Sequence, residues 1–214
     1  MTITAQSIIQ RAQTTLQDPE GVRHPATELV GYLNDGQRAL IAVRNDVGAT
    51  TVAFEPTPGA RQTIPANAMA LMDVLGNTSG NRRAIRKVDK DVMDATARDW
   101  ASSTASKVAT NFMFDPERDP RTFWLYPPAA AGGSVDLLIA AYPTDVAAPS
   151  GAAYTDVTGS ISVPDQWDNA LLNYVLSRAY DKDAEFAGNA QLSATHMASF
   201  LSQAGVKPAP TPKA

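Results

Sequence analysis

The stretch from Asn111 to Val146, NFMFDPERDPRTFWLYPPAAAGGSVDLLIAAYPTDV, constrains the fold more than any other part of the chain. Its aromatic and β-branched residues favour extended structure, and clusters of proline and glycine divide them into short runs. The pattern predicts three strands in a meander: Asn111–Asp115, Thr122–Tyr126 and Ser134–Ala141. Pro127 and Pro128 have no backbone N–H to donate, so they predict the end of the second strand.

Helical periodicity precedes this stretch. Thr4 is a favourable N-cap for a first helix that ends at Gln17, before an Asp-Pro pair. Thr27 is the candidate cap of a second helix, Glu28–Arg44, in which Gly36 predicts the close approach of another backbone. The apolar face of the second helix comprises Leu29, Leu33, Leu40 and Val43. The short loop between the helices favours a hairpin.

Helical periodicity returns after the meander. Asp165 is the candidate cap of a third long helix, and a fourth helix is predicted after Gly188. The apolar face of the fourth helix comprises Ala190, Ala194, Met197, Leu201 and Ala204. Trp124 and Trp167 stand in apolar patterns without a polar partner. We therefore expect Trp124 in the core of the β domain and Trp167 between the two helix pairs.

The pattern between Thr50 and the meander is mainly extended. The predicted elements are strands at Thr51–Glu55 and Arg61–Ile64 around a Pro-Gly turn, a strand at Ala70–Leu75, a polar turn at Gly76–Asn81, a strand at Arg83–Val88 and a short helix from Asp89 or Asp91 to Trp100. Helices at both ends with strands between them favour an α+β fold over βαβ alternation.

The predicted architecture is a helical bundle from the N- and C-terminal helix pairs with an inserted antiparallel β domain. Each helix pair has one apolar face, and packing the pairs together is the simplest way to bury both faces. The predicted domains are residues 1–48 plus 161–205 for the bundle, 49–160 for the β-rich domain and 206–214 for an extended C-terminal tail.

Bulk properties argue against several protein classes. No apolar run approaches the length of a membrane span, and the N-terminal residues MTITAQSIIQRAQ lack the pattern of a secretory signal. The formal net charge is -4, whereas a general nucleic-acid binder is usually strongly basic. The chain has no cysteine, so neither disulfides nor a thiolate metal site is expected.

No sequence motif indicates catalysis. The glycine-rich nucleotide motifs, the zinc-protease motif and the nucleophile elbow are missing. Asp115, Glu117 and Asp119 share one turn and can offer oxygen ligands to a hard cation, but Arg118 and Arg121 lie between and beside them and favour salt bridges. We therefore predict no enzymatic activity, no catalytic residue, no cofactor and no metal.

One run of the chain is strongly basic. It places five cations within nine residues: Arg82, Arg83, Arg86, Lys87 and Lys90. On a strand, Arg82, Arg86 and Lys90 face one way. Such a stripe suits DNA phosphate or an acidic patch on a neighbouring subunit. It also suits a solvated edge strand whose charge prevents aggregation. The alternatives stay open, and the five residues are candidate interface or DNA-channel residues.

The order of these elements resembles the head-to-tail adaptor (connector) proteins of tailed bacteriophages, especially the tail tubular protein A-like adaptors of short-tailed phages. The matching parts are Tyr32-Leu33-Asn34-Asp35 in the second helix, the stretch from Lys87-Val88-Asp89-Lys90 to Trp100, the Asp115–Tyr142 core, and the C-terminal helix pair with Ala179-Tyr180 and Asp183-Ala184-Glu185. The most specific part is DPRTFWLYPP, residues 119–128. The likeness covers nearly the whole chain.

The resemblance implies a structural virion protein of the phage neck, made in the host cytoplasm. Such adaptors form a homo-oligomeric ring, typically of twelve copies, with the portal above and the tail nozzle or tail tube below, and double-stranded DNA passes through without sequence recognition. The candidate portal-contacting tail comprises Val206, Lys207, Pro208, Pro210, Pro212 and Lys213, because an extended, cationic segment suits an acidic portal surface.

Another class of protein fits part of the pattern. A carbohydrate-binding β module can use Trp124 and Tyr126 as stacking platforms, and other non-catalytic interaction proteins also need no catalytic motif. Aromatic residues that alternate on a strand are more often core, and this alternative leaves the helical half unexplained.

Overall fold

The structure is a computed structural model, and it describes residues 3–78, 82–182 and 187–206. It has two compact units, residues Met1–Val47 with Pro143–Ala214 (the helical unit) and residues Gly48–Tyr142 (the β unit). The predicted mixture of α-helices with mainly antiparallel sheets is confirmed. The predicted domain limits, as limits of parts that fold on their own, stay a prediction.

The first helix, α1 (Ala5–Thr15), begins where the sequence predicts. Thr4 Oγ1 accepts a hydrogen bond from the Ser7 N–H at 3.3 Å, so Thr4 is the N-cap. The helix ends two residues before Gln17, whose φ of 56° reverses the chain. The Asp18 N–H then closes the end of the helix by donating to the Gln13 carbonyl at 2.9 Å.

The second helix, α2 (Ala26–Val43), differs from the sequence predictions in three respects. It begins before Thr27, because the Ala26 N–H finds a tertiary acceptor, the Ala152 carbonyl, at 2.7 Å and needs no side-chain cap. Val43 is 42% exposed and lies off the apolar face, where Ile41 is buried instead. Gly36 faces the ring of Tyr174 and not another backbone, since a Cβ there would lie 3.0 Å from Tyr174 Cδ1.

The C-terminal helices are α4 (Asp168–Lys182) and α5 (Ala187–Gln203). Asp165 is not the cap of α4, because its Oδ1 accepts from the Ile3 N–H at 2.9 Å and a 3₁₀ turn precedes the helix. Gly188 lies inside α5 and does not precede it. Ala190 and Ala194 are exposed, so the first two residues of the apolar face predicted for this helix are wrong. The buried residue Phe200 packs edge-on against Tyr174 at 5.2 Å between ring centroids.

The four long helices contact one another within the helical unit. Helix α4 packs against α1, α2 and α5, and α1 also contacts α2. Trp167 is only half-buried, and the Arg44 guanidinium lies 5.4 Å from its ring centroid. Trp167 is therefore not the fully buried residue that its apolar pattern predicts, and its placement between the two helix pairs stays a prediction.

The β unit contains two sheets around one core. The strands are β1 (Ala49–Phe54), β2 (Gly59–Thr63), β3 (Ala68–Asn77), β4 (Arg86–Lys87), β5 (Asn111–Met113), β6 (Thr122–Ala129) and β7 (Val135–Ala141). The first sheet has the order β1-β7-β3 and the second β2-β6-β5-β4. A short helix, α3 (Lys90–Thr96), follows β4 and is capped by Asp89.

The predicted meander is wrong beyond its second strand. Strand β6 pairs with β5, but β7 pairs with β1 and β3 in the other sheet. This crossover lets Leu137 and Ile139 of the first sheet share one buried cluster with Phe123 and Leu125 of the second. Burying these four side chains together removes their apolar surface from water, which favours the folded state. For the same reason β1 and β2, which flank a turn, lie in different sheets.

Pro127 and Pro128 lie inside β6 and do not end it. They are tolerated because both fall at positions without a ladder partner: the pairing to β5 stops at Tyr126, and the pairing to β2 jumps from Trp124 to Ala129. The Pro128 carbonyl accepts a hydrogen bond from the Ser106 N–H at 2.9 Å.

Trp124 is half-buried, whereas its neighbours Phe123 and Leu125 have 0% and 1% of their surface exposed. Alternation on β6 points Phe123 and Leu125 into the core and Trp124 to the other face. The prediction that Trp124 belongs to the core is therefore wrong, although it correctly chose the strand.

Candidate interface at the basic segment

The basic segment, Arg82–Lys87, is held in place by a buried amide. The sequence predicts a polar turn from Gly76, but β3 continues through Asn77, and residues 79–81 lie outside the described part. Asn77 is 1% exposed, and both its backbone N–H and its Nδ2 donate to the Arg83 carbonyl, at 3.0 and 2.9 Å. Its Nδ2 also donates to the Ala109 carbonyl at 2.9 Å, and its Oδ1 accepts from the Ala109 N–H at 2.8 Å.

Asn77 thus joins three parts of the β unit: the end of β3, the basic segment and the loop before β5. Gly76 pairs with Ala84 in an isolated bridge, and Ile85 is 7% exposed and joins the core. The Arg86 N–H donates to the Thr110 carbonyl at 3.0 Å and begins the parallel pairing of β4 with β5. The basic segment is therefore fixed by backbone bonds both to the end of β3 and to β5 with the residue before it.

The predicted strand Arg83–Val88 is shorter than expected, because only Arg86 and Lys87 pair regularly with β5. Consequently Arg82, Arg86 and Lys90 do not form one stripe. Lys90 begins α3, bonds to Asp94 at 2.6 Å and lies 5.7 Å from the Trp124 ring centroid. That hydrogen bond, together with one from Trp100 Nε1, lowers the pKa of the Asp94 carboxyl.

Three cations of the basic segment have no salt-bridge partner among the residues that the structure describes. Arg82 lies 3.6 Å from Asp136, but no carboxylate of residues 3–78, 82–182 or 187–206 forms a salt bridge with Arg83, Arg86 or Lys87. All three side chains are exposed. Together with Ala84, Thr110 and Asn111, Arg83 and Arg86 line a depression of about 390 Å³. This depression is suited to an anionic group.

The acidic turn that follows β5 is held by salt bridges and hydrogen bonds. Arg118 lies 3.3 Å from Asp115, and Arg61 lies 3.7 Å from Asp119. Arg121 contributes differently, because its guanidinium donates to the Ala68 carbonyl at 2.6 Å. In the described part of the chain, no group of three or more histidine, aspartate or glutamate side chains is placed to hold a metal ion.

A second depression, of about 670 Å³, lies between the start of α3 and the acidic turn. Trp124 and Phe114 contribute aromatic surface, and Lys87, Asp91 and Arg118 contribute charges of both signs. This mixed lining does not select one ligand class.

The remaining predicted residues lie at the C-terminus. Val206 is 36% exposed and follows Gly205, whose φ is 79°. Lys207, Pro208, Pro210, Pro212 and Lys213 lie outside the described residues, as do Asp183-Ala184-Glu185 and Ser79 to Asn81. Among the helices that are described, none is long and apolar enough to cross a membrane.

Sequence reasoning found the basic segment and missed the residue that holds it. Asn77 stands in Leu75-Gly76-Asn77-Thr78, whose composition is typical of a turn. A strand-length apolar run that continues into an asparagine gives no sign that the amide is buried.

The comparison with protein families gives a match that covers nearly the whole chain. The sequence model described as SU10 adaptor protein matches residues 3–211. The match thus includes both units and the basic segment. A search of curated proteins found no match.

Proposed function

We propose, for a chain that belongs to the SU10 adaptor protein family, that twelve copies form a ring between the portal and the tail nozzle or tail tube. The family implies a structural protein of the phage neck that assembles with other phage proteins. The observation that carries the proposal is the family match over residues 3–211, nearly the whole chain. In this role the protein functions through its interfaces and not as an enzyme.

The four long helices and the β unit have separate tasks in this proposal. We assign α1, α2, α4 and α5 to one bundle, supported by the contacts of α4 with the other three helices. The β unit is then an inserted domain, supported by its own buried cluster of both sheets. A bundle and a domain that each have a core can present rigid surfaces to different neighbours in a stacked assembly.

The charge of the chain suits a channel for a polyanion. A lumen lined with many cations would hold DNA phosphates and slow their passage. With a net charge of -4 per copy, a ring of this protein would be acidic overall, with the basic segments as sparse positive positions. We place Arg83, Arg86 and Lys87 at an interface between copies or at the channel wall.

Particles that lack the protein test this role. We expect such particles to lose attached tails or to leak packaged DNA, because the portal channel would have no connection below it. Complementation with the wild-type chain is the control. Stable tails together with full DNA retention in its absence would contradict the neck role.

Replacing Arg83, Arg86 and Lys87 with glutamine is expected to weaken ring assembly or to change DNA ejection, with an effect that depends on salt. The reason is that no salt bridge within the described residues already neutralises these cations. The control removes two other exposed cations of the β unit, Arg98 and Lys107, which likewise form no salt bridge within the described residues. Assembly yield by sedimentation and ejection rate at two salt concentrations measure the effect. Equal assembly yields and equal ejection rates for the two variants would indicate that the basic segment is only a solvated edge strand.

Deleting residues 207–214 is expected to leave the melting temperature unchanged and to weaken binding to the portal. The segment KPAPTPKA carries three prolines, which exclude a helix, and two lysines suited to an acidic surface. Thermal unfolding and portal affinity are compared between the full chain and the truncated one. An unchanged portal affinity would show that the tail is not part of the interface with the portal.

A further inference from the structure

The two sheets of the β unit end in four edge strands, and three of these strands carry features that hinder pairing with another chain. Strand β3 is irregular in its pairing with β7 and bridges to the basic segment at Ala84. Strand β2 has a shift of register before the exposed Arg61. Strand β4 has only two residues, and both are cations. Irregular pairing, charge and short length are common ways to protect an edge.

Strand β1 has none of these features. Its six residues, ATTVAF, include no charge and no proline, and its register with β7 has no irregularity. Within the described part of the chain, β7 is the one strand that pairs with it. A regular, uncharged edge of this length is suited to pair with a further strand.

Backbone alternation fixes which residues of β1 point to its open side. The Ser134 carbonyl, just before β7, accepts from the Thr78 N–H at the end of β3, at 3.0 Å. The next residue, Val135, therefore faces the other neighbour, β1, where its partner is Phe54. Counting back from Phe54, every second residue of β1 bonds to β7. The residues that turn their N–H and C=O groups to the open side are Ala49, Thr51 and Ala53.

The two faces of β1 differ in polarity. The side chains of Val52 and Phe54 are half-buried and pack against the core of the β unit. The side chains of Thr51 and Ala53 point to the other face and are exposed. Since directly opposite residues of paired strands share a face, a strand that joins β1 should be apolar opposite Val52 and Phe54.

The C-terminal segment 207–214, KPAPTPKA, has the pattern of such a strand. It lies outside the described residues, so the argument for it comes from its sequence. A residue before proline favours an extended conformation, and a proline has no backbone N–H. Alternating prolines in an extended segment therefore remove donors from one side only. These prolines are Pro208, Pro210 and Pro212. The residues that keep both groups on the other side are Lys207, Ala209, Thr211 and Lys213.

We propose that residues 208–213 of one copy pair antiparallel with β1 of the next copy in the ring, with Thr211 opposite Thr51. The segment then covers all six residues of β1. Residues that keep an N–H meet the outward residues of β1, as Ala209 meets Ala53, and each such pair exchanges two backbone hydrogen bonds. The prolines turn their other side to solvent and close the sheet to any further strand.

The side chains match in the same register. Pro208 and Pro210 lie opposite Phe54 and Val52 and extend the apolar face that packs against the core. On the exposed face threonine lies opposite threonine, which is a favourable cross-strand pair. The lysine side chains of the segment lie on that exposed face too, so they remain available to an acidic surface of the portal. Pairing with β1 is therefore compatible with the proposed contact between the tail and the portal.

A segment that comes from the next copy makes this contact one that can close a ring. Each copy gives its C-terminal segment to one neighbour and its β1 to the other, so the contact is heterologous. Contacts of this type generate rings, whereas β1 pairing with β1 would stop at a dimer. Six extended residues span about 20 Å, which is also the length of β1.

The inference rests on the proposed ring, and cysteine crosslinking tests it directly. The chain has no native cysteine, so an introduced pair is the only one present. We expect the double variant Thr51→Cys, Thr211→Cys to give a ladder of dimers, trimers and larger species on a non-reducing gel after oxidation of assembled particles. Opposite residues of such a pair have Cα atoms about 5.5 Å apart, which suits a disulfide. The control pair, Thr63→Cys with Thr211→Cys, places one cysteine at an exposed threonine of β2 and should stay monomeric.

Each other outcome has a definite meaning. Assembled particles in which the double variant does not crosslink would overturn the strand pairing and leave the ring in place. A crosslink confined to single copies would overturn it in favour of pairing within one chain. A dimer formed by Thr51→Cys alone would overturn it in favour of β1 pairing with β1. If the wild-type chain forms no oligomer and does not bind its portal, the proposed function fails together with the inference.

Proline substitutions test which side of the segment pairs with β1. We expect Thr211→Pro to disrupt the pairing, because it removes an N–H that faces β1, and Pro210→Ala to preserve it, because that residue faces away. Hydrogen exchange in assembled particles measures the effect. The amides of Thr51 and Ala53 should exchange at least about tenfold faster in Thr211→Pro than in the wild-type chain or in Pro210→Ala. Equal exchange in all three chains, or faster exchange in Pro210→Ala alone, would contradict the pairing.

Discussion

Replacing Phe123 with alanine is expected to lower the free energy of unfolding by about 3–5 kcal/mol. Phe123 is 0% exposed and contributes to the cluster that joins the two sheets, with the Phe54 ring centroid at 5.8 Å. Replacing Trp124 with alanine should lower the free energy of unfolding clearly less, although tryptophan is the larger side chain. Trp124 is only half-buried and lies beside the charged end of Lys90, so part of its surface is in water already in the folded state.

Chemical denaturation of the two variants side by side measures this difference. Trp124→Ala is the matched control, since it truncates the adjacent residue of the same strand. Equal losses at the two positions, or a larger loss at Trp124, would contradict the alternation of β6.

Replacing Asn77 with alanine is expected to cost about 2–4 kcal/mol and to loosen the basic segment. The change removes three side-chain hydrogen bonds and leaves the Ala109 N–H and C=O buried without that partner. Each buried polar group that loses its partner costs about 1–3 kcal/mol. The remaining bond from the Asn77 N–H to the Arg83 carbonyl keeps one attachment.

Hydrogen exchange separates the two effects. We expect faster exchange at Ala109, Arg86 and Val88 in Asn77→Ala, in addition to the lower stability. Asn67→Ala, the same truncation at an exposed residue, is the control and should leave both quantities nearly unchanged. Unaltered protection of the basic segment in Asn77→Ala would show that the amide does not position it.

Local signals in the sequence predicted the elements better than their partners. The sequence predicts Thr4 as the cap of α1 correctly because the interaction spans only three residues. Thr27 fails as a cap because a distant residue, Ala152, provides the acceptor for the Ala26 N–H. The sequence carries no signal for such a tertiary hydrogen bond.

Sheet pairing depends on long-range contacts in the same way. The prolines at 127 and 128 were expected to end a strand, but they fit where neither neighbouring strand has a ladder partner. Strand β7 leaves the predicted meander because its alternating apolar residues complete the core from the other sheet. Spacing along one strand does not reveal which sheet contains it.

The candidate interface was predictable in its charges and not in its geometry. The density of cations from Arg82 to Lys90 is visible in the sequence, whereas the separation of Lys90 on α3 and the burial of Asn77 follow from tertiary packing.

Electron micrographs of the protein mixed with the portal of its own phage test the central proposal most directly. We predict an additional ring stacked on one end of the portal, with twelvefold symmetry in rotational averages. Portal particles that look the same with and without the protein, while the protein sediments as a monomer, would contradict the account.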